Sequence, residues 1–214
     1  MNDDSSVSEP VKNAPMVFVV DDEASIRDAL SNLFRSVGIP VSTFESTSDF
    51  LKHPKPDSPS CLILDVRLQG FSGLDFQHQL AESKVKMPII FITGHGDIAM
   101  SVKAMKAGAS DFLAKPFRDQ DLLDAVSAAL QTDVRRRELE LQGSDLQNRF
   151  QSLTARERQV MAHAAKGLMN KQIADQLHLS EITVKIHRGH AMKKMNAKSF
   201  ADLVRMAESL GIGQ

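Results

Sequence analysis

Met16-Val17-Phe18-Val19-Val20-Asp21-Asp22-Glu23 is the stretch from which the rest of the chain can be read. An apolar run ends abruptly in acids, as a buried parallel strand does when it emerges from a core. The pattern recurs at Leu62-Ile63-Leu64-Asp65 and at Phe91-Ile92-Thr93, and Lys115 follows the short run Phe112-Leu113-Ala114. In open α/β sheets ligands bind at the carboxyl ends of the strands, so these exits can share one crevice. The carboxylates of Asp21, Asp22 and Asp65, the Thr93 hydroxyl and the Lys115 ammonium together suit a divalent cation and a phosphoryl group.

Outward from these exits, strand and helix signals alternate. Strands are expected at 16–20, 41–44, 61–64, 89–93 and 110–114, with helices at 23–37, 46–51, near 73–82, near 98–107 and from Asp119 onward. Residues 67–72 read as a loop. Strict alternation predicts an α/β fold, a parallel sheet with helices on both faces. The order 2-1-3-4-5 is expected by analogy with flavodoxin-like doubly wound sheets. Residues 1–15 are polar and proline-containing and read as a disordered N-terminus. The helix from Asp119 meets its first clear break at Gly143-Ser144, so 131–151 reads as a mostly helical linker. Its apolar stripe fits either a dimer seam or a solvated connector.

From residue 152 to 214 the strand signals stop and four helical segments follow. Thr154 to Glu157 is a capping box, Asn170 and Ser180 read as caps of a short and a longer helix, and Ser199 starts the last. Charge divides along the same line. Residues 1–130 hold 12 Lys/Arg against 18 Asp/Glu, whereas 152–214 hold 10 against 5, and a basic tail half favours a polyanion such as nucleic acid. The single cysteine, Cys61, excludes an intrachain disulfide and a Cys-based metal site. No apolar run approaches a bilayer span, and the acidic start lacks a signal-like core, so no membrane partner and a cytoplasmic location are expected.

A carboxylate can attack phosphorus and form an acyl phosphate, provided that repulsion between the anions is offset. Magnesium does this with oxygen ligands, and manganese can stand in. Adjacent Asp21 and Asp22 make sense as a metal pair, Asp65 as ligand and nucleophile, Lys115 as a mobile point charge and Thr93 as a hydrogen-bond donor.

With these motifs assembled, residues 16–130 resemble the receiver domain of two-component response regulators. The resemblance lies in V-V-D-D-E, L-I-L-D-V-R-L, G-F-S-G-L, F-I-T-G-H-G-D, A-M-K-A-G-A-S-D-F and A-K-P-F, and T-G-H-G-D with K-P-F narrows it to the FixJ-like branch of the FixJ/NarL family. It implies that Asp65 takes a phosphoryl group from a sensor histidine kinase. It also implies that Asp21, Asp22, Asp65 and the backbone carbonyl of Arg67 hold magnesium. Thr93 and Phe112 would report phosphorylation, and the Lys115–Pro116 bond would be cis. Phe112 stands where many receivers have Tyr, so it can signal only by packing.

The tail fits a helix-turn-helix, with 170–177 supporting and 181–195 entering the major groove. On a helical wheel Val184, His187, Ala191 and Met195 face inward, while Lys185, Ile186, Gly189, His190 and Lys193 face away. Lys171, Thr183, Arg188 and Lys194 are phosphate candidates. Residues 153–211 resemble the LuxR-type DNA-binding domain through L-T-A-R-E-R-Q-V, N-K-Q-I-A, L-S-E-I-T-V-K-I-H-R and M-K-K-M. That resemblance implies base contacts at Lys185, Ile186 and Gly189, although several relatives carry Lys at the last position. The combined expectation is a phosphorylation-controlled transcription regulator rather than a turnover enzyme. Its partners would be double-stranded promoter DNA, a second copy when phosphorylated, and RNA polymerase. Two rivals are a magnesium-dependent aspartyl phosphohydrolase and a DNA-binding protein whose front half is never phosphorylated. The first expects a second acid two residues after the nucleophile, where this chain has Arg67. The second leaves the full acidic, hydroxyl and lysine set unexplained.

Overall fold

Central strands of a parallel sheet are covered on both faces and read as unbroken apolar runs, while edge strands tolerate polar residues. The computed structural model, which describes residues 14–68, 71–82, 85–94 and 98–212, follows this rule. The expected disorder at 1–15 concerns positions that, up to residue 13, lie outside the described residues. The chain divides into two compact units, Met1–Arg137 and Glu138–Gln214.

The first unit contains β1 (Met16–Val20), α1 (Ala24–Ser36), β2 (Val41–Phe44), α2 (Thr47–Lys52), β3 (Ser60–Asp65), β4 (Arg67–Leu68), β5 (Phe71–Ser72), α3 (Gly73–Glu82), β6 (Ile89–Thr93), α4 (Ile98–Lys106), β7 (Asp111–Ala114) and the start of α5 (Asp119–Gln151). Its main sheet is parallel and ordered β2-β1-β3-β6-β7, the expected 2-1-3-4-5. β3 and β6 are buried throughout, whereas the edge strands β2 and β7 are only partly covered.

Alternation along the strands separates two cores. Phe18, Leu62, Leu64 and Phe91 pack with Phe50 of α2, Phe76 and Leu80 of α3 and Ala104 of α4. Val17, Val19, Ile63 and Ile92 pack with Leu30 and Phe34 of α1 and Leu122 and Val126 of α5. The segment expected as a loop at 67–72 instead contains a short antiparallel pair, β4 with β5. Each strand has two residues, too few to show a period.

α5 carries one polar residue into the core. Asp133 is fully buried, and its Oδ2 accepts from the Ser60 backbone N–H (2.9 Å) and from Arg137 Nε (2.8 Å). Arg136 donates to Oδ1 from Nε (2.9 Å) and Nη2 (2.6 Å), and Arg137 Nη1 reaches Asp57 (2.8 Å). A buried carboxylate is tolerable only when its lone pairs are satisfied in this way. The bond to Ser60 holds α5 against the start of β3, the strand that ends at Asp65.

The second unit contains the end of α5 with α6 (Ala155–Ala165), α7 (Asn170–Leu177), α8 (Glu181–Met195) and α9 (Phe200–Ser209). α5 runs through Gly143-Ser144 without the expected break. A glycine inside a helix costs about 1 kcal/mol, which the packing of Leu146 and Phe150 into the second unit's core offsets. Thr154 and Glu157 form the expected capping box. Asn170 does not cap α7: Met169 occupies that position, and its N–H donates to the Gln172 side chain (2.8 Å). Ser180 caps α8, and His178 turns the chain between α7 and α8 in the left-handed region (φ 55°).

Candidate functional site

β1 and β3 are adjacent and parallel, so residues 21 and 65 emerge side by side. Asp21 is fully buried; its Oδ1 accepts from the Glu23 N–H (2.9 Å). Asp65 Oδ1 accepts from the Arg67 N–H (2.7 Å). Lys115, delivered by the turn after β7, donates from Nζ to Asp21 Oδ2 (2.8 Å) and Asp65 Oδ2 (2.6 Å). The Lys115–Pro116 bond is cis.

Burial pushes the Asp21 carboxyl above its ordinary value, and the Asp65 charge adds to this against the opposing pull of Lys115 and the Glu23 N–H. Burial also opposes the Lys115 charge, but its bonds to Asp21 and Asp65 prevail and lift it above the usual lysine value. Like charges are thus forced together around one ammonium.

Carboxylate oxygens of Asp21, Glu23 and Asp65 lie within 4.8 Å of one another. Glu23 replaces Asp22 in this group. Asp22 is half-buried, and its backbone carbonyl accepts from Arg27 Nη1 (2.9 Å). An all-oxygen donor set is the kind that a hard divalent cation takes. Thr93 ends β6 and is buried, with its carbonyl accepting from the Lys115 N–H (2.8 Å). Phe112 lies within β7, half-buried, against the core that holds Phe91 and Ala104. Of the motif T-G-H-G-D, His95 to Asp97 lie outside the described residues.

In the second unit, α8 buries Val184, Ala191 and Met195, and His187 is half-buried. Lys185, Ile186, Gly189, His190 and Lys193 are exposed, as is Lys171 at the start of α7. Thr183 is half-buried beside the cap, its Oγ1 2.8 Å from Ser180 Oγ. Arg188 is engaged within the unit, with Nη1 donating to Asn170 (3.1 Å) and its guanidinium over the Phe200 ring (5.5 Å). Lys194 is paired with buried Glu157 (2.7 Å).

Residues 17–127 match the model of the response regulator receiver domain, and residues 151–207 match that of bacterial regulatory proteins of the luxR family. The chain belongs to the response regulators. It is similar to Nodulation protein W of Bradyrhizobium diazoefficiens, 59% identical over 92% of this chain and 87% of that protein. Transcriptional regulatory protein FixJ of Rhizobium meliloti is 40% identical over 92% of this chain and 97% of its own. Among solved structures, response regulator StyR is 50% identical with a TM-score of 0.81, covering 91% of this chain and 98% of its own.

The regulator is therefore a transcription factor with a receiver and a LuxR-type DNA-binding domain, in a family that does not turn over substrates. Among the described residues, no helix is long and apolar enough to cross a membrane. Two groupings differ from those the sequence suggests: Glu23 joins the carboxylates, and Lys194, expected at phosphates, pairs with Glu157. Glu23 was visible as the third acid of Asp21-Asp22-Glu23. The Glu157–Lys194 pair joins residues 37 positions apart and carried no local signal.

Proposed function

We propose that this response regulator accepts a phosphoryl group on Asp65 from a sensor histidine kinase, and that the modification controls binding to promoter DNA. The observation that carries this is the Lys115 ammonium shared between Asp21 and Asp65 at the ends of adjacent strands. In the transfer an Asp65 oxygen bonds to phosphorus as the P–N bond of a phosphohistidine breaks; the other ring nitrogen of that histidine already carries a proton, so neutral imidazole leaves. Lys115 then shifts from the carboxylate to a phosphoryl oxygen, and the Thr93 hydroxyl donates to another. Phe112 repacks against the core as Thr93 moves. Asp21, Asp65, the Asp22-Glu23 pair and the Arg67 carbonyl would hold magnesium or manganese. Either cation, when bound, supplies charge neutralisation between two anionic reactants.

Residues 16–130 act as receiver, 131–151 as a mostly helical connector and 152–214 as the DNA-binding domain. Lys185, Ile186, Gly189, His190 and Lys193 face DNA from α8. Lys171 and Thr183 take phosphates, and Arg188 joins them by giving up its internal partners. Phosphorylation favours a homodimer whose linked DNA-binding domains gain affinity through effective concentration, and RNA polymerase is the downstream partner. The protein works in the cytoplasm.

The test is labelling with a radioactive small-molecule phosphodonor and magnesium. Asp65→Asn is expected to reduce acyl-phosphate formation to background; full labelling of that variant sinks the assignment.

A further inference from the structure

The exposed face of α8 has an apolar component that salt-sensitive phosphate binding does not explain. Ile182 is 73% exposed, more than any other large apolar side chain among the described residues. Ile186, one turn on, is 51% exposed. Ile182, Lys185, Ile186, Gly189 and Lys193 stand at i, i+3, i+4, i+7 and i+11, which places them on one stripe. The opposite face, through Val184, Ala191 and Met195, already supplies the core, so Ile182 has no packing role within the unit.

Gly189 extends the same argument. A Cβ built there meets nothing within 4 Å, so nothing among the described residues excludes a side chain at this position. The stripe thus presents two aliphatic side chains and one bare backbone position alongside two exposed lysines. Cations at the edge suit the phosphates of a polyanion. An apolar centre needs an apolar group on that polyanion, and the methyl of thymine is the one that projects into the major groove. Ile182 also lies in the first turn of α8, beside the Ser180 cap, and N-terminal residues of a recognition helix are those that reach base edges.

We infer that Ile182 is a specificity-determining residue that reads a thymine methyl group in the major groove, with Ile186 beside it. The inference rests on the DNA-binding reading of α8 and adds to it which chemical group is read and by which side chain.

The experiment uses the full chain, treated with acetyl phosphate and magnesium, to select duplexes from a random library. Each thymine of the selected sequence is then replaced by deoxyuridine, which removes only the methyl. At one thymine, wild type is expected to bind the deoxyuridine duplex about fourfold more weakly, the factor that one buried methyl is worth. Ile182→Ala binds both duplexes alike, Ile182→Val keeps the preference, and binding to random duplex at the same salt is unchanged in both. The proposal is overturned if Ile182→Ala retains the wild-type preference at every thymine. It is also overturned if that variant loses affinity equally for selected and random duplexes, which would mark a role in helix support. Selection that enriches no sequence overturns the DNA reading itself, a result distinct from either.

Discussion

The two units handle positive charge in opposite ways. In the receiver, Lys115 is only 15% exposed in its side chain and already holds two carboxylates. On α8, Lys185 and Lys193 stand in solvent. A buried cation with fixed partners organises chemistry inside the fold, because a low dielectric magnifies each contact. An exposed cation contributes little to its own fold and waits for a polyanion from outside. On the proposed reading one site awaits a divalent cation and a phosphoryl group, and the other is half of an interface.

The contrast breaks most visibly at Lys115. Removing one partner of a buried pair leaves uncompensated charge, so Lys115→Met is expected to destabilise the receiver by about 3 kcal/mol, read as the urea midpoint. Added magnesium should restore part of that loss. A variant as stable as wild type without magnesium would mean that the ammonium is not the counter-charge it looks to be.

Salt sharpens the same comparison. Promoter affinity should fall steeply with ionic strength, and Lys185→Ala should weaken it by about 1–3 kcal/mol and lessen the salt slope by about one. Acyl-phosphate formation should barely respond over the same range. Equal salt sensitivity in both assays would erase the distinction.

An exception is the Glu157–Lys194 ion pair of the DNA-binding unit, whose carboxylate is buried and whose ammonium is partly exposed. Burial alone would raise the Glu157 carboxyl, but the bonds from Lys194 and from Thr154 override it and hold the group at about 2, against an ordinary 4.5. A depressed folded value means stability that is present above 4.5 and lost as pH falls toward about 2. Hydrogen-exchange protection across α6, measured relative to the intrinsic rate at each pH, should fall in that window for wild type, and Glu157→Gln should remove most of the dependence. A wild type with flat protection between those values would place the charge elsewhere.

The strand exits were legible because central parallel strands are buried on both faces, so each apolar run stops where the crevice begins. The order of the strands was not contained in any period; it came from analogy and resemblance. Asp133 escaped notice because a lone acid in an apolar helix stripe looks solvated until the Ser60 N–H is brought beside it. Asn170 misled because Asn favours a cap, yet the Gln172 side chain had already satisfied the first N–H and Arg188 claimed the amide. The break expected at Gly143 failed because local propensity lost to the packing of Leu146 and Phe150. At the proposed phosphoacceptor site Asp21, Asp65 and Lys115 could be read from their positions alone. Glu23 rather than Asp22 entering the carboxylate group is a matter of side-chain direction, which the order of letters does not encode.

Cys61 lies in β3, four residues before Asp65, with its thiol pushed up to about 12 by burial and by the nearby Asp133 charge. It is the chain's one cysteine. At ordinary pH it stays a protonated thiol and is unreactive while the strand is covered. The receiver therefore carries a native alkylation clock: a thiol reagent counts only the moments when the central strand opens, and whatever tightens the pocket at the strand's far end slows the count.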